Sequence, residues 1–224
     1  MVEMENDILN LENTNIPRCY KPNDFGEKID YTLHHFSDAS EKGYGQASYL
    51  RMKNEYGRIW CCLVFGKSRV APLKYVSIPR LELTAATLSV KISNMLKEEM
   101  DIQITSETFW TDSQVVLGYI NSECRRFKVF VANRAQFIRD HTDIQQWRYV
   151  STHENPADDA SRGLRSTDLE KIKRWFNGPF FLWQPEETWL CRLQSIEPLA
   201  DNDTELKNKF LVNVTKIEDY IISK

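Results

Sequence analysis

The sequence predicts an α/β protein: a five-stranded mixed sheet flanked by helices, with a C-terminal helical extension. Three observations predict it. Three β-type runs follow one another with short turns between them, which makes an antiparallel meander. The apolar period then changes from two to 3.6, and two further strands alternate with helical runs. Finally, Asp38, Glu82, Asp112 and Asp158 each stand where a strand ends or a helix begins. Open α/β sheets gather ligands outside the carboxyl ends of their strands.

Taken in order, residues 1–28 are polar and irregular, with Pro17 and Pro22, and predict a surface arm. A folded domain over 29–164 follows. TLHHFSDAS reads as a strand that breaks at Ser37–Asp38. GYGQASYLRMKN is a second strand opened by Gly43 and Gly45, NEYGR a hairpin turn, and RIWCCLVFGKS a third strand. RLELTAATLSVKISNMLKEEM spaces Leu81, Ala85, Leu88, Ile92 and Met95 along one helix face, with Pro79 suited to the first turn. Glu82 lies beside that stripe, where the helix dipole favours a carboxylate. ITSETFWTDS predicts a fourth strand ending at Asp112, SQVVLGYIN a short helix, VFVANRAQFIRDH a longer one and QQWRYVST a fifth strand. PADDASRG is a last short helix stopped by Gly163. Residues 165–224 form an extension with one amphipathic helix, an aromatic strip and a further amphipathic stretch around Phe210–Ile222.

At 224 residues with 42% hydrophobic and 27% charged content, the chain has the composition of a soluble globular protein. No apolar run approaches the roughly 20 residues of a membrane span, and MVEMENDILN resembles neither a secretory signal nor a transit peptide. The expected location is cytoplasmic or nuclear. Five cysteines without C-x-x-C spacing argue against a disulfide framework and a zinc site. The two N-x-T triplets, at Asn202 and Asn213, are chance matches without a signal peptide.

The four carboxylates are separated by 44, 30 and 46 residues. One acid at a strand end is common, whereas four at domain-scale spacing suggest a shared divalent-metal site. Hard cations take oxygen ligands, and two ions held by carboxylates clamp the attacking and leaving oxygens of a phosphodiester. Net charge is −3, so the whole chain does not advertise nucleic-acid binding. Locally, Arg125, Arg126, Lys128, Arg134, Arg139 and Arg148 outnumber Asp140 and Asp143. Such a run is commonly a solvated face; the alternative is a ridge that tracks phosphates beside the acids.

The motifs FSDAS, KSRVAPLKYVSIPRLELTAA, WTDSQVVLGYI, FKVFVANRAQFI, WRYVSTHENPADDASRG and GPFFLWQPEETW run through residues 15–190. In them the chain resembles the type 1 ribonuclease H domain of BEL/Pao retrotransposon polyproteins. The resemblance implies the ribonuclease H-like fold, with three antiparallel and two parallel strands. It also implies hydrolysis of the RNA strand of RNA–DNA hybrids with two Mg²⁺ or Mn²⁺ ions. Carried over by motif, the metal ligands and catalytic residues are Asp38, Glu82, Asp112 and Asp158. Substrate contacts then fall to Arg125, Arg126, Lys128 and Arg134. His153 falls where many of these enzymes carry a mobile histidine, although a histidine in a surface turn is more often a bystander. The family usually reads NPADLASRG, with leucine where this chain has Asp159. A buried charge there would cost a few kcal/mol; an exposed one would add negative charge beside Asp158.

Family polyproteins also carry a reverse transcriptase upstream and an integrase downstream, which become expected partners. The chain has no Y-x-D-D signature and no His/Cys zinc module, so it reads as a polyprotein fragment, a relic or a captured gene. A different class of reading is a catalytically silent nucleic-acid-binding or interaction module that keeps the fold. A transposase or integrase is disfavoured, because those commonly place their glutamate last and here it comes second.

Overall fold

The structure, a computed structural model, describes Ile16 and residues 19–27, 29–122, 124–192 and 199–207. The expected stretch around Phe210–Ile222 lies outside the described residues, as do residues 1–15 of the arm. Of the arm's described part, Phe25 is buried against Leu33, Leu50 and Met52.

Strands β1 (Ile29–Ala39), β2 (Gly43–Asn54) and β3 (Ile59–Val70) form the antiparallel meander. β1 runs through Ser37 and Asp38 before it ends. Asn54 builds the second hairpin by accepting the amides of Tyr56 and Arg58 at 3.1 and 2.8 Å. Helix α1 (Ile78–Glu99) carries Pro79 in its first turn and crosses to β4 (Ser106–Thr111). Helices α2 (Gln114–Asn121) and α3 (Val129–His141) precede β5, which is only Trp147–Tyr149. Helix α4 (Ala157–Arg162) stops at Gly163, whose φ of 92° lies in the region glycine tolerates. Helix α5 (Leu169–Asn177) opens the extension. The sheet order is β3-β2-β1-β4-β5, with β4 and β5 parallel to β1. This is the five-stranded mixed sheet of the ribonuclease H-like fold.

Consecutive strand residues face opposite sides, and β4 uses both. Phe109 packs with Leu83, Ala86 and Val90 of α1 and with residues of α2 and α3. Its neighbour Trp110 packs on the other face with Phe36, Tyr49, Phe181 and Leu182. Burial of a side chain such as Phe109 stabilises by about 2–3 kcal/mol. On α1 the buried surface is wider than the single stripe expected: Leu83, Ala86 and Val90 are fully buried, while Leu88 and Met95 are half-buried. The helix is pinned between the sheet and α3, so it buries two sides.

The described part of the extension roofs the second face. Arg51 of β2, buried there, donates to the carbonyls of Leu182 and Gln184 at 2.7 and 3.1 Å. It also pairs with Glu186 at 3.0 Å. Among the described residues, no helix is long and apolar enough to cross a membrane.

Candidate active site

β1 and β4 are hydrogen-bonded in parallel register, with Ser37 opposite Thr111. The next residue on each is acidic, so Asp38 and Asp112 leave neighbouring strand ends side by side. The buried Asn155 amide fastens the pair: its Nδ2 donates to the Ser37 carbonyl at 3.1 Å and to Asp112 at 3.3 Å. Its Oδ1 accepts the Ala157 amide at 3.1 Å, which ties both strand ends to α4.

Glu82 reaches the same corner from the start of α1. The Ser113 hydroxyl donates to Glu82 Oε2 at 2.7 Å and accepts the Val116 amide as the N-cap of α2. Asp158 comes from α4, which lies directly on β2. A Cβ on Gly45 would meet the Ala160 Cβ at 2.6 Å, and one on Gly43 the Ser161 carbonyl oxygen at 3.3 Å. Glycine at these two positions therefore lets α4 approach. The Ser68 hydroxyl donates to the Ala160 carbonyl at 2.6 Å and the Ser40 hydroxyl to that of Ser161 at 2.8 Å. From α4, the Ser161 hydroxyl donates to Asp38, and the exposed Arg162 pairs with Asp158.

The electrostatics show how close these acids are. Burial, then the Asp112 charge and more weakly that of Asp158, pushes Asp38 up to about 7, against the opposing Ser161 hydrogen bond. Burial, with a smaller contribution from Asp112, raises Glu82, which Ser113 partly offsets. Arg162 is held above the usual guanidinium range, first by its hydrogen bond to Asp158 and then by the surrounding acids. All four predicted carboxylates thus converge on one end of the sheet. Among the described residues, no three His, Cys, Asp or Glu side chains close on a common point tightly enough to hold an ion as they stand. Asp38, Glu82 and Asp158 are each turned to a partner of their own: Ser161, Ser113 and Arg162. The donor set is nonetheless all oxygen, and the mutual repulsion at Asp38 is what a hard cation would relieve.

The predicted basic contacts are less uniform. Arg125 pairs with Asp201 at 3.1 Å. Arg134 lies 3.6 Å from the Phe130 ring. Arg139 donates to the carbonyls of Tyr119, Ile120 and Ser122 at the end of α2. Arg126 and Lys128 are exposed. His153 is exposed in a short turn after β5, and its carbonyl accepts Arg174 of α5. Asp159 takes the buried alternative: its side chain is fully buried, 2.6 Å from Arg174 and 3.7 Å from Lys171. Ser113, Asn155, Ser161 and Arg162 are the site residues that sequence reasoning missed, although each lies inside a motif already singled out.

A family model described as Pao retrotransposon-like RNaseH-like domain matches residues 1–113, half of the chain. The chain belongs to this family. The matched span of the Pao-type domain includes Asp38, Glu82 and Asp112, while Asp158 and Asp159 lie beyond it. No curated protein matches. Among solved structures, an N-terminal ribonuclease H domain from Mycobacterium tuberculosis is 8% identical, with TM-score 0.39, over 64% of this chain and 99% of that one. Ribonuclease H1 of Halobacterium salinarum is 10% identical, with TM-score 0.36, over 63% and 98%. The compost-derived LC11 ribonuclease H1, solved with an RNA/DNA hybrid, is 11% identical, with TM-score 0.37, over 63% and 99%.

Proposed function

We propose that this Pao-type domain is a metal-dependent endonuclease that hydrolyses the RNA strand of RNA–DNA hybrids. The observation that carries the reading is the convergence of Asp38, Glu82, Asp112 and Asp158, with Asp38 raised by burial and then by its acidic neighbours. Such a set fits Mg²⁺ or Mn²⁺ ions, two in this reading, held by these four side chains. A divalent cation held by these side chains would supply Lewis acidity to activate water near neutral pH and to offset charge on the leaving oxygen. The chain's own residues do the rest. Ser113 orients Glu82, Asn155 orients Asp112, and Arg162 offsets the charge of Asp158. Recognition of the hybrid rests on backbone and 2′-hydroxyls rather than on base identity. Family membership supports an origin beside reverse transcriptase and integrase parts of a parent polyprotein.

The test is cleavage of a hybrid labelled on its RNA strand, with Mg²⁺ and separately with Mn²⁺. Shortened RNA with the parent, and loss of cutting with Asp112→Asn, is the expected result. An intact hybrid under every metal condition would overturn the enzymatic reading, and binding without turnover would favour a silent binding module. Undiminished cutting by Asp112→Asn would overturn the site.

A further inference from the structure

β3 is an edge strand, and it continues into a loop, residues 71–77, exposed over 72–75, that leads to α1 and Glu82. Residues 66–77 hold three cations, Lys67, Arg69 and Lys74, and no acid. None of the three forms an ion pair among the described residues. Interleaved with them, Val70, Leu73 and Tyr75 are 85%, 108% and 88% exposed. Single exposed apolar side chains are ordinary. Three within six residues, set among unpaired cations, form a surface suited to a polyanion with apolar faces.

The register places this surface beside the carboxylates. Asp38 is opposite Gly45, and Gly45 is opposite Ser68. Two strand spacings, about 10 Å, therefore separate Asp38 from the middle of the basic run. Ser68 faces α4 through its hydrogen bond to Ala160, so Lys67 and Arg69, which alternate with it, face the other side of the sheet. The adjacent turn adds one charge of each sign, Glu41 and Lys42.

Charge balance gives the segment its use. A polyanion approaching four carboxylates on a chain of net charge −3 needs local cations. Several other cations are engaged internally: Arg80 with Glu205, Arg125 with Asp201, and Arg139 with the α2 carbonyls. Among the described residues, Lys67, Arg69 and Lys74 form no such ion pair.

We propose that residues 66–77 form a docking arm for the nucleic-acid backbone. Lys67, Arg69 and Lys74 contact hybrid phosphates flanking the cut, and Leu73 and Tyr75 lie against its sugars. The arm deepens the hybrid-cleaving reading and rests on it. At about 3.4 Å per base pair, that backbone separation of about 10 Å puts its contacts about three or more base pairs from the scissile phosphate.

The test measures hybrid affinity by fluorescence anisotropy in Mg²⁺ across a salt series, in the Asp112→Asn chain so that substrate survives. Adding Lys67→Ala, Arg69→Ala and Lys74→Ala is expected to weaken binding at least about tenfold and to flatten the log–log salt slope by about 2–3. Tyr75→Ala is expected to weaken binding several-fold with the slope unchanged. A control triple on distant cations, Lys21→Ala, Lys53→Ala and Lys91→Ala, is expected to change little. Equal affinity and slope in the arm triple, or an equal loss in the control, overturns the arm alone if the parent cuts hybrid. A parent that neither binds nor cuts hybrid overturns both readings.

Discussion

Removing the Arg174 guanidinium should loosen α4, and the surroundings of Asp159 set the size of the effect. The Asp159 carboxylate is fully buried; Arg174 approaches it at 2.6 Å and Lys171 at 3.7 Å. Arg174 also donates to the His153 carbonyl, so one side chain joins α5, α4 and the turn after β5. Breaking a buried ion pair by deleting one partner costs about 3–5 kcal/mol, because the other charge stays uncompensated. Lys171 remains within reach of Asp159, which puts Arg174→Met at the lower end, about 3 kcal/mol. For a chain of this size that is a fall in Tm of roughly 6–12 °C. Asp159→Leu removes the charge itself and leaves Arg174 its carbonyl partner and water, so about 1 kcal/mol is expected. The double variant replaces the pair by apolar groups and should fall within about 1 kcal/mol of the parent, which makes the two sites strongly coupled. Urea and thermal unfolding followed by circular dichroism measure all four proteins. An Arg174→Met protein within about 1 kcal/mol of the parent, or a double variant whose loss is the sum of the singles, would refute the reasoning.

Two further expectations concern titrating groups. Asp38 is raised to about 7 by burial, then Asp112 and Asp158, so its stabilising contribution is complete below the ordinary carboxylate pKa and is lost as pH rises through about 7. Without divalent metal at pH 8, Asp38→Asn should therefore raise stability by about 1–3 kcal/mol while abolishing hybrid cleavage; a lowered Tm in EDTA would count against the assignment. His35, fully buried and stacked on Phe109, is lowered to about 4, chiefly by burial. Its contribution is present above the ordinary value of 6.5 and is lost as pH falls towards 4, on the order of 3 kcal/mol in all. Urea titrations between pH 7 and 4 should show a steeper loss for the parent than for His35→Gln, and parallel curves would exclude the effect.

Much of this was legible because it is local. The β-type run TLHHFSDAS and the period of VFVANRAQFIRDH state their elements outright, and Gly163 announces the end of α4. Strand ends also identify Asp38 and Asp112 as neighbours once β1 and β4 pair. What local pattern does not contain is contact at a distance. Gly43 and Gly45 read as strand openers, whereas their use is to let α4 lie against β2. Asn155 reads as a turn residue before proline, and only the folded chain brings its amide to the Ser37 carbonyl. The aromatic strip after Gly178 looks appended in sequence; Phe181 packs with Trp110 and Tyr49, 71 and 132 residues earlier along the chain, so no window of sequence joins them. The ridge over 125–148 illustrates the converse. Composition registers its charge but not that residues 199–207 return to pair with part of that surface and its surroundings.

The four carboxylates differ in what holds them. Asp38 and Asp112 are fixed by the parallel register of β1 and β4, a central pairing that disappears only with the sheet. Glu82 depends on the start of α1 and on one serine, Ser113, 31 residues away at the N-cap of α2. Asp158 sits on a six-residue helix too short to be stable alone. That helix is held by Asn155, by the close approach at Gly43 and Gly45, and by the Asp159–Arg174 pair. Partial opening of the roof should therefore release Asp158 first and leave Asp38 and Asp112 in register. Arg174→Met then becomes more than a stability probe: hydrogen exchange in α4 should rise well before exchange in β1 and β4. Simultaneous loss of protection in all three would mean that α4 and the sheet open as one unit.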